Sequence, residues 1–405
     1  MSHLPHILAV DKPLTLAGVP AGFLPWLLTD LARASKGRAV YVAADEAAMR
    51  SAADTAHYFA PELELLSFPA WDCLPYDRAS PSLRATSERL ACLASLQRPK
   101  SGPQLLITTI NAITQRTLTP FRVRQLSAHL KPGARIDRDQ LATLLQANGY
   151  VRSDTVADAG EFAIRGSLVD LYPTGETHAL RLDFFGDEIE SIRSFDPADQ
   201  RTIGRVEQFT LLPASEALLD EEGIKRFRSR YRETFGATAT GDPLYQAVSE
   251  GRRLAGMDHW LPLIEERLTT LFDHIGPDCV IVRDSGVTGA AQARFEAIGD
   301  YHANRVRAQS SDPGSYRPLA PDALYLGVPE WDTAVADRPI HLTSPFAEPD
   351  SVSVIDLGVS AARDFAGERA RGDNLYEAAA THAAQQVREG RGLIIASYSA
   401  GSRER

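Results

Sequence analysis

The chain has 405 residues, 44% of them hydrophobic and 24% charged, with a formal net charge of -10. This length can bury several ordinary cores, and the composition excludes a disordered or fibrous chain. The acidic balance argues against a broad DNA-binding surface, because non-specific duplex affinity comes from neutralising phosphates.

The first uncharged run, over 13–29, is interrupted by Pro13, Pro20 and Pro25, so it reads as the start of a buried helix and not as a secretory leader. No other run approaches membrane-spanning length. Helices are expected over 24–34, 46–58 and 82–96, alternating with strands over 39–43, 63–68 and 104–110. Short continuous apolar strands between amphipathic helices predict a parallel sheet covered on both faces, an α/β doubly wound layout of nucleotide-binding type. The widely separated Cys73, Cys92 and Cys279 form neither a metal spacing nor an even disulfide set, so a reducing cytoplasm fits best.

From about Phe121 to Pro213 the texture becomes α+β, with a helix over 138–148 ahead of a strand-rich block. That block, 160–197, reads GEFAIRGSLVDLYPTGETHALRLDFFGDEIESIRSFDP. A strand through Ile164, Leu168, Val169 and Leu171 is followed by the turn residues Pro173-Thr174-Gly175. A second strand runs from Leu180 to Phe185 and breaks at Gly186-Asp187 before Ile189 and Ile192. Period-two alternation puts Leu180, Leu182 and Phe184 on one face and Arg181, Asp183 and Phe185 on the other. The first set is core. The second sets an aromatic ring beside a guanidinium, a pairing enriched at protein–protein hot spots.

Long charged helices resume over 220–235 and 288–309, with strands expected over 279–283 and 323–327. Domains are therefore expected at 1–120, at 121–214 as an insertion, at 215–335 completing the first, and at 336–405 as a third α/β unit. The third unit should hold a strand over 352–357, a helix over 375–388, a strand over 392–397 and a helix opening at Ala400, which makes the end look truncated.

The 160–197 block resembles the inserted domain shared by the excision-repair protein UvrB and the transcription-repair coupling factor Mfd. Trp71-Asp72-Cys73-Leu74-Pro75-Tyr76-Asp77 with Pro81, Leu211-Leu212-Pro213-Ala214 and the segment around Trp260-Leu261-Pro262-Leu263 favour the coupling factor's amino-terminal region. The resemblance runs from about Leu24 to the end and weakens after about Val335. It implies a degenerate helicase-like, RecA-like first domain and an inserted domain that docks onto UvrA through Arg165, Arg181 and Phe185. It also implies that RNA polymerase and DNA are handled by other parts of the full-length translocase, and that a carboxy-terminal domain masks the docking face. The chain itself is expected to be a monomer with no catalytic residue, no metal and no cofactor. Alanine at Arg181 or Phe185 should abolish UvrA binding and leave thermal stability nearly unchanged.

Other motifs read as structural. A phosphate-binding loop needs a Lys on the phosphates and a hydroxyl on magnesium. At the expected place, Ala17-Gly18-Val19-Pro20-Ala21-Gly22-Phe23-Leu24 offers Phe23 and Leu24 instead. Asp45 is read as a helix cap, Asp284 is discounted as a metal ligand, and Trp71–Asp77 as packing against the core. The rival readings are a divergent UvrB-type ATP-dependent repair subunit and a DNA-binding scaffold whose arginines contact phosphates.

Overall fold

In a computed structural model the described residues are 3–35, 37–236, 241–311, 316–336, 339–394, 399 and 401. The chain is a mixed α/β protein with several sheets. The first stretch alternates strands β1 (Thr15–Ala17), β2 (Arg38–Ala43), β3 (Glu64–Phe68) and β4 (Gln104–Thr109) with helices Leu24–Ala34, Glu46–Phe59 and Leu83–Leu96. All six positions of both β2 and β4 are buried, which accounts for the apolar runs Ala39–Ala43 and Leu105–Ile107 within them. The second and third helices start where a side chain satisfies an orphan backbone N–H: Asp45 accepts from Ala48 N, and Ser82 from Ala85 N.

Short strands β5 (Thr117–Leu118) and β6 (Ala128–Leu130) lead into the insertion. It holds helix Arg138–Ala147 and strands β7 (Val151–Arg152), β8 (Glu161–Arg165), β9 (Leu168–Leu171), β10 (Ala179–Phe185), β11 (Glu188–Phe195) and β12 (Thr202–Arg205). The chain then returns through β13 (Phe209–Leu211), β14 (Leu268–Thr269), β15 (Cys279–Arg283), β16 (Ile340–Thr343) and β17 (Val354–Asp356). β13 pairs with β6, closing the base of the insertion, and β14 pairs with β5 outside it.

The large sheet has the order β17-β1-β16-β15-β2-β4-β3, and every pairing in it is parallel. Alternate β2 residues feed two different apolar clusters, Val40 and Val42 in one, Ala39, Tyr41 and Ala43 in the other. Both faces of this sheet are therefore buried. No helix among the described residues is long and apolar enough to cross a membrane.

Four expected strands change. The strand expected over 323–327 is a 3-10 turn, Pro321–Ala323, followed by the buried irregular run Leu324, Tyr325, Leu326; only Tyr325 pairs, in an isolated bridge to Gln115. Flanking Pro321 and Gly327 cut the apolar run too short for a ladder. The strand assigned to a third unit, over 352–357, is β17, which hydrogen-bonds to β1 with Ile355 buried in the first sheet's core. The compact unit that ends the chain starts at Ser360 and contains helices Ala366–Arg371 and Leu375–Arg388. Of the strand expected over 392–397, residues 392–394 are not in a strand, and 395–397 lie outside the described residues, as does most of the helix expected from Ala400. Finally, what reads as one strand from Ile164 to Leu171 is two, because Gly166 takes φ +60° and lets the chain reverse at Gly166-Ser167.

Candidate functional site

The insertion's sheet has the order β12-β11-β10-β9-β8-β7, antiparallel except for β7 with β8. Its inner face packs Phe162, Val169, Leu171, Leu180, Leu182, Phe184, Ile189 and Ile192 with Leu141 and Leu145 of helix Arg138–Ala147. Each such side chain contributes about 1.5–3 kcal/mol on burial, which holds the strands in register. The outer face carries the polar chemistry.

One row crosses that outer face: Ala163, Asp170, Arg181, Arg193 and Arg205 lie opposite one another on β8 through β12. Asp170 is buried, only 2% exposed. Arg181 grips it bidentately, Nε to Oδ1 at 2.7 Å and Nη2 to Oδ2 at 2.8 Å. The same guanidinium lies 4.7 Å from the centre of the buried Phe195 ring. Hydrogen bonding to Asp170 raises the Arg181 pKa above its ordinary value, against a smaller opposing effect of desolvation. Arg165 approaches the same carboxylate from β8, its Nη2 4.0 Å from Asp170 Oδ2 and 3.4 Å from Thr155 Oγ1. Arg193 donates to Asp183 at 3.2 Å, and Ser167 Oγ donates to the other oxygen of Asp183 at 3.3 Å.

At one end of this face two hairpin tips meet, Gly166-Ser167 and Gly186-Asp187, joined by Phe184 N to Ser167 O at 3.0 Å. Phe185 stands at this rim and is 81% exposed. The tips are held from behind: Arg138 donates to the Gly166 carbonyl, Gly133 N to Ile189 O at 2.8 Å, and Ile136 N to Asp187 O at 2.9 Å. An exposed aromatic ring on a braced hairpin is suited to entering another protein's pocket with little loss of chain entropy.

The three expected contact residues thus share a face but differ in state. Phe185 is largely exposed, Arg165 is half exposed, and Arg181 is 17% exposed with its fork taken by Asp170. Arg165 and Arg181 are not on neighbouring strands, since β9 separates them; the unrecognised Gly166 turn hid that strand. Sequence reading missed Asp170 and Phe195. An acid between Val169 and Leu171, two residues of a buried strand, was the available signal.

Elsewhere the discounted motifs have structural partners. Asp45 caps its helix, and Asp284 accepts from Gly286 N at 2.7 Å and from Tyr41 Oη at 3.2 Å. Trp71 and Tyr76 are core, with Trp71 Nε1 donating to Glu216 and Tyr76 Oη to the Leu319 carbonyl. The loop after β1 leads into a helix whose N-cap is Phe23, with no capping hydrogen bond and a proline in its first turn.

Residues 128–216 match the family model of the UvrB interaction domain. Transcription-repair-coupling factors from Haemophilus influenzae and Escherichia coli are each 36% identical, over 67% and 75% of this chain, and one from Rickettsia bellii is 31% identical over 66%. The chain spans about a quarter of the length of these curated relatives: 23%, 26% and 24%. The chain belongs to the transcription-repair-coupling factor family and carries its UvrB interaction domain.

Proposed function

We propose that this chain is the UvrA-recruiting module of a transcription-repair coupling factor, linking a stalled RNA polymerase to nucleotide excision repair. The observation that carries the reading is the braced pair of hairpin tips within the UvrB interaction domain, presenting Phe185 to solvent on the same face as the half-exposed Arg165. In this reading Phe185 is the apolar anchor and Arg165 supplies charge-assisted hydrogen bonds to a carboxylate. Arg181 is mainly a positioning residue, since Asp170 uses its fork, with its remaining exposed edge available to the partner.

The chain itself hydrolyses no nucleotide in this reading, and the first domain is a doubly wound, degenerate relative of a nucleotide-binding domain. Support comes from the strand β1 exit, where Phe23 and Leu24 replace the Lys and hydroxyl that phosphate and magnesium require. Contacts to RNA polymerase and DNA belong to other parts of the full-length relatives. Titration calorimetry of UvrA into the chain and into Phe185→Ala tests the assignment; equal affinity in the two would reject it.

A further inference from the structure

A cavity of about 330 Å³ opens at the carboxyl ends of three strands of the large sheet. It is lined by Trp71, Asp72 and Cys73 in the loop leaving β3, by Asp77, by Asn111 in the helix leaving β4, and by Arg294 on helix Val287–Ser311, which leaves β15. This edge is where open parallel sheets hold ligands, and the volume is at the lower end of the roughly 300–1,000 Å³ of small-molecule sites. It is remote from the loop after β1, because β16, β15 and β2 lie between β1 and β4.

Arg294 is the informative residue. Its Nε is shut off from solvent without a hydrogen-bond partner, and its guanidinium lies 5.3 Å from the centre of the buried Tyr325 ring. Of the other deeply placed arginines, Arg89 has Glu216, Arg122 has Asp220 and Glu265, and Arg38 donates to the His274 and Ile275 carbonyls. Arg294 has no ion-pair partner among the described residues. Desolvation lowers its pKa, and the opposing influences come from Tyr325, Cys73 and Tyr301, none of them a carboxylate. A shielded cation that no carboxylate pairs with directly is costly, even with Asp72 and Asp77 elsewhere on the lining, unless something in the cavity contacts it.

We propose that this cavity binds a small organic oxyanion, a carboxylate or a phosphate ester, gripped by Arg294 with the Asn111 amide as second donor. Asp72 and Asp77 on the lining disfavour a doubly charged ligand. They favour a single carboxylate that carries an ammonium group, as in an amino acid.

The test is the thermal midpoint of the whole chain in Tris-chloride, with and without β-alanine, acetate or inorganic phosphate, for the native sequence, Arg294→Met and Asn111→Ala. β-Alanine far above its Kd should raise the native midpoint by roughly 2–4 °C, acetate by less. Asn111→Ala should weaken the rise and Arg294→Met abolish it. Without ligand, Arg294→Met should be at least as stable as the native chain, because the uncompensated charge is gone. A rise with phosphate alone, absent in Arg294→Met, would assign the site to a phosphate ester. The proposal is overturned if no probe separates the native chain from Arg294→Met, or if Arg294→Met without ligand is strongly destabilised. Neither result bears on the docking face, whose variants are read by UvrA affinity.

Discussion

Arg181 and Asp170 form a closed, two-point ion pair on the outer face of the inserted sheet, and the aspartate is almost wholly withdrawn from water. The pair changes what an alanine at position 181 reports. Removing one partner of a buried pair leaves the other charged and unsolvated, which costs about 3–5 kcal/mol when burial is complete. Arg181 keeps some exposure, so about 2–4 kcal/mol is expected. Arg181→Ala should therefore lower the urea midpoint, contrary to the stability-neutral outcome that sequence alone suggests. Asp170→Ala in the same background should restore part of the loss. An unchanged midpoint in Arg181→Ala would show that the pair does not hold the face together.

Phe185 is the opposite case. Its ring is exposed in the free chain, so truncation removes little folded-state contact, and Phe185→Ala should stay within about 0.5 kcal/mol of native stability. Loss of a central aromatic anchor typically costs about 2–4 kcal/mol of binding. Calorimetric titration with UvrA should therefore show affinity weakened by a factor of roughly 30 to 1,000. Arg165→Ala, removing a half-exposed group, should have a smaller effect.

The first-domain elements from Leu24 to Thr109 were legible because each carries its own signal, whereas the short strands β1 and β16 were not expected. The apolar run of β2, the Asp45 and Ser82 caps and the terminal Phe68 of β3 mark their boundaries without help from the rest of the fold. The faces of β10 were legible too, since period two sorts Leu182 inward and Arg181 outward. What stayed hidden depends on partners far along the chain. A strand around Val354 was expected, but its place beside β1, more than three hundred residues earlier, was not. Asp170 looks like any polar strand residue until Arg181 and Arg165 are brought across to it.

A second buried pair ties the insertion's exit to the first domain. Arg89 Nε meets Glu216 Oε1 at 2.5 Å with both side chains buried, and Trp71 Nε1 donates to the same oxygen at 3.0 Å. The guanidinium also lies 4.2 Å from the centre of the Phe68 ring. Glu216→Ala would strand a fully buried cation and one indole N–H, and a loss of about 3–5 kcal/mol in urea unfolding is expected. Glu216→Gln keeps the shape and an acceptor, so it should lose less. Equal losses in the two would mean that packing, not charge, dominates there.

Stability should fall in mild acid. Burial is the main cause that pushes His259, His274 and His341 down from the ordinary 6.5 to about 4. Below 6.5 the unfolded chain binds protons that the folded chain refuses. Each histidine's contribution is therefore complete above 6.5 and is lost as pH falls from 6.5 to 4, on the order of 3 kcal/mol apiece. His259 is the clearest probe, because neither ring nitrogen has a hydrogen-bond partner, while His274 meets the Leu118 carbonyl at 2.8 Å and His341 accepts from Leu14 N at 3.2 Å. Urea midpoints measured from pH 7.5 to 4.5 should decline throughout this window, and His259→Leu should flatten the slope by one proton. A flat native profile would contradict the burial of these rings.

Magnesium ATP should leave the thermal midpoint of this chain unchanged. The loop after β1 is closed by its own fold: Gly18 N donates to the Phe346 carbonyl and Val19 N to the Ser344 carbonyl, both at 2.8 Å, so these donors are not free for a phosphate. Gly18 is also packed so tightly that a methyl group there would lie 2.6 Å from Asp356 Oδ1. That carboxylate is fixed by Gly358 N at 2.7 Å and Glu348 N at 3.1 Å, and it would repel a phosphate at the point where a working loop attracts one. Asp356→Asn removes the repulsion but neither restores the missing Lys nor releases Gly18 N, so it too should show no shift with nucleotide. A rise of several degrees with magnesium ATP in the native chain would reverse the reading of the first domain and favour an ATP-dependent repair subunit.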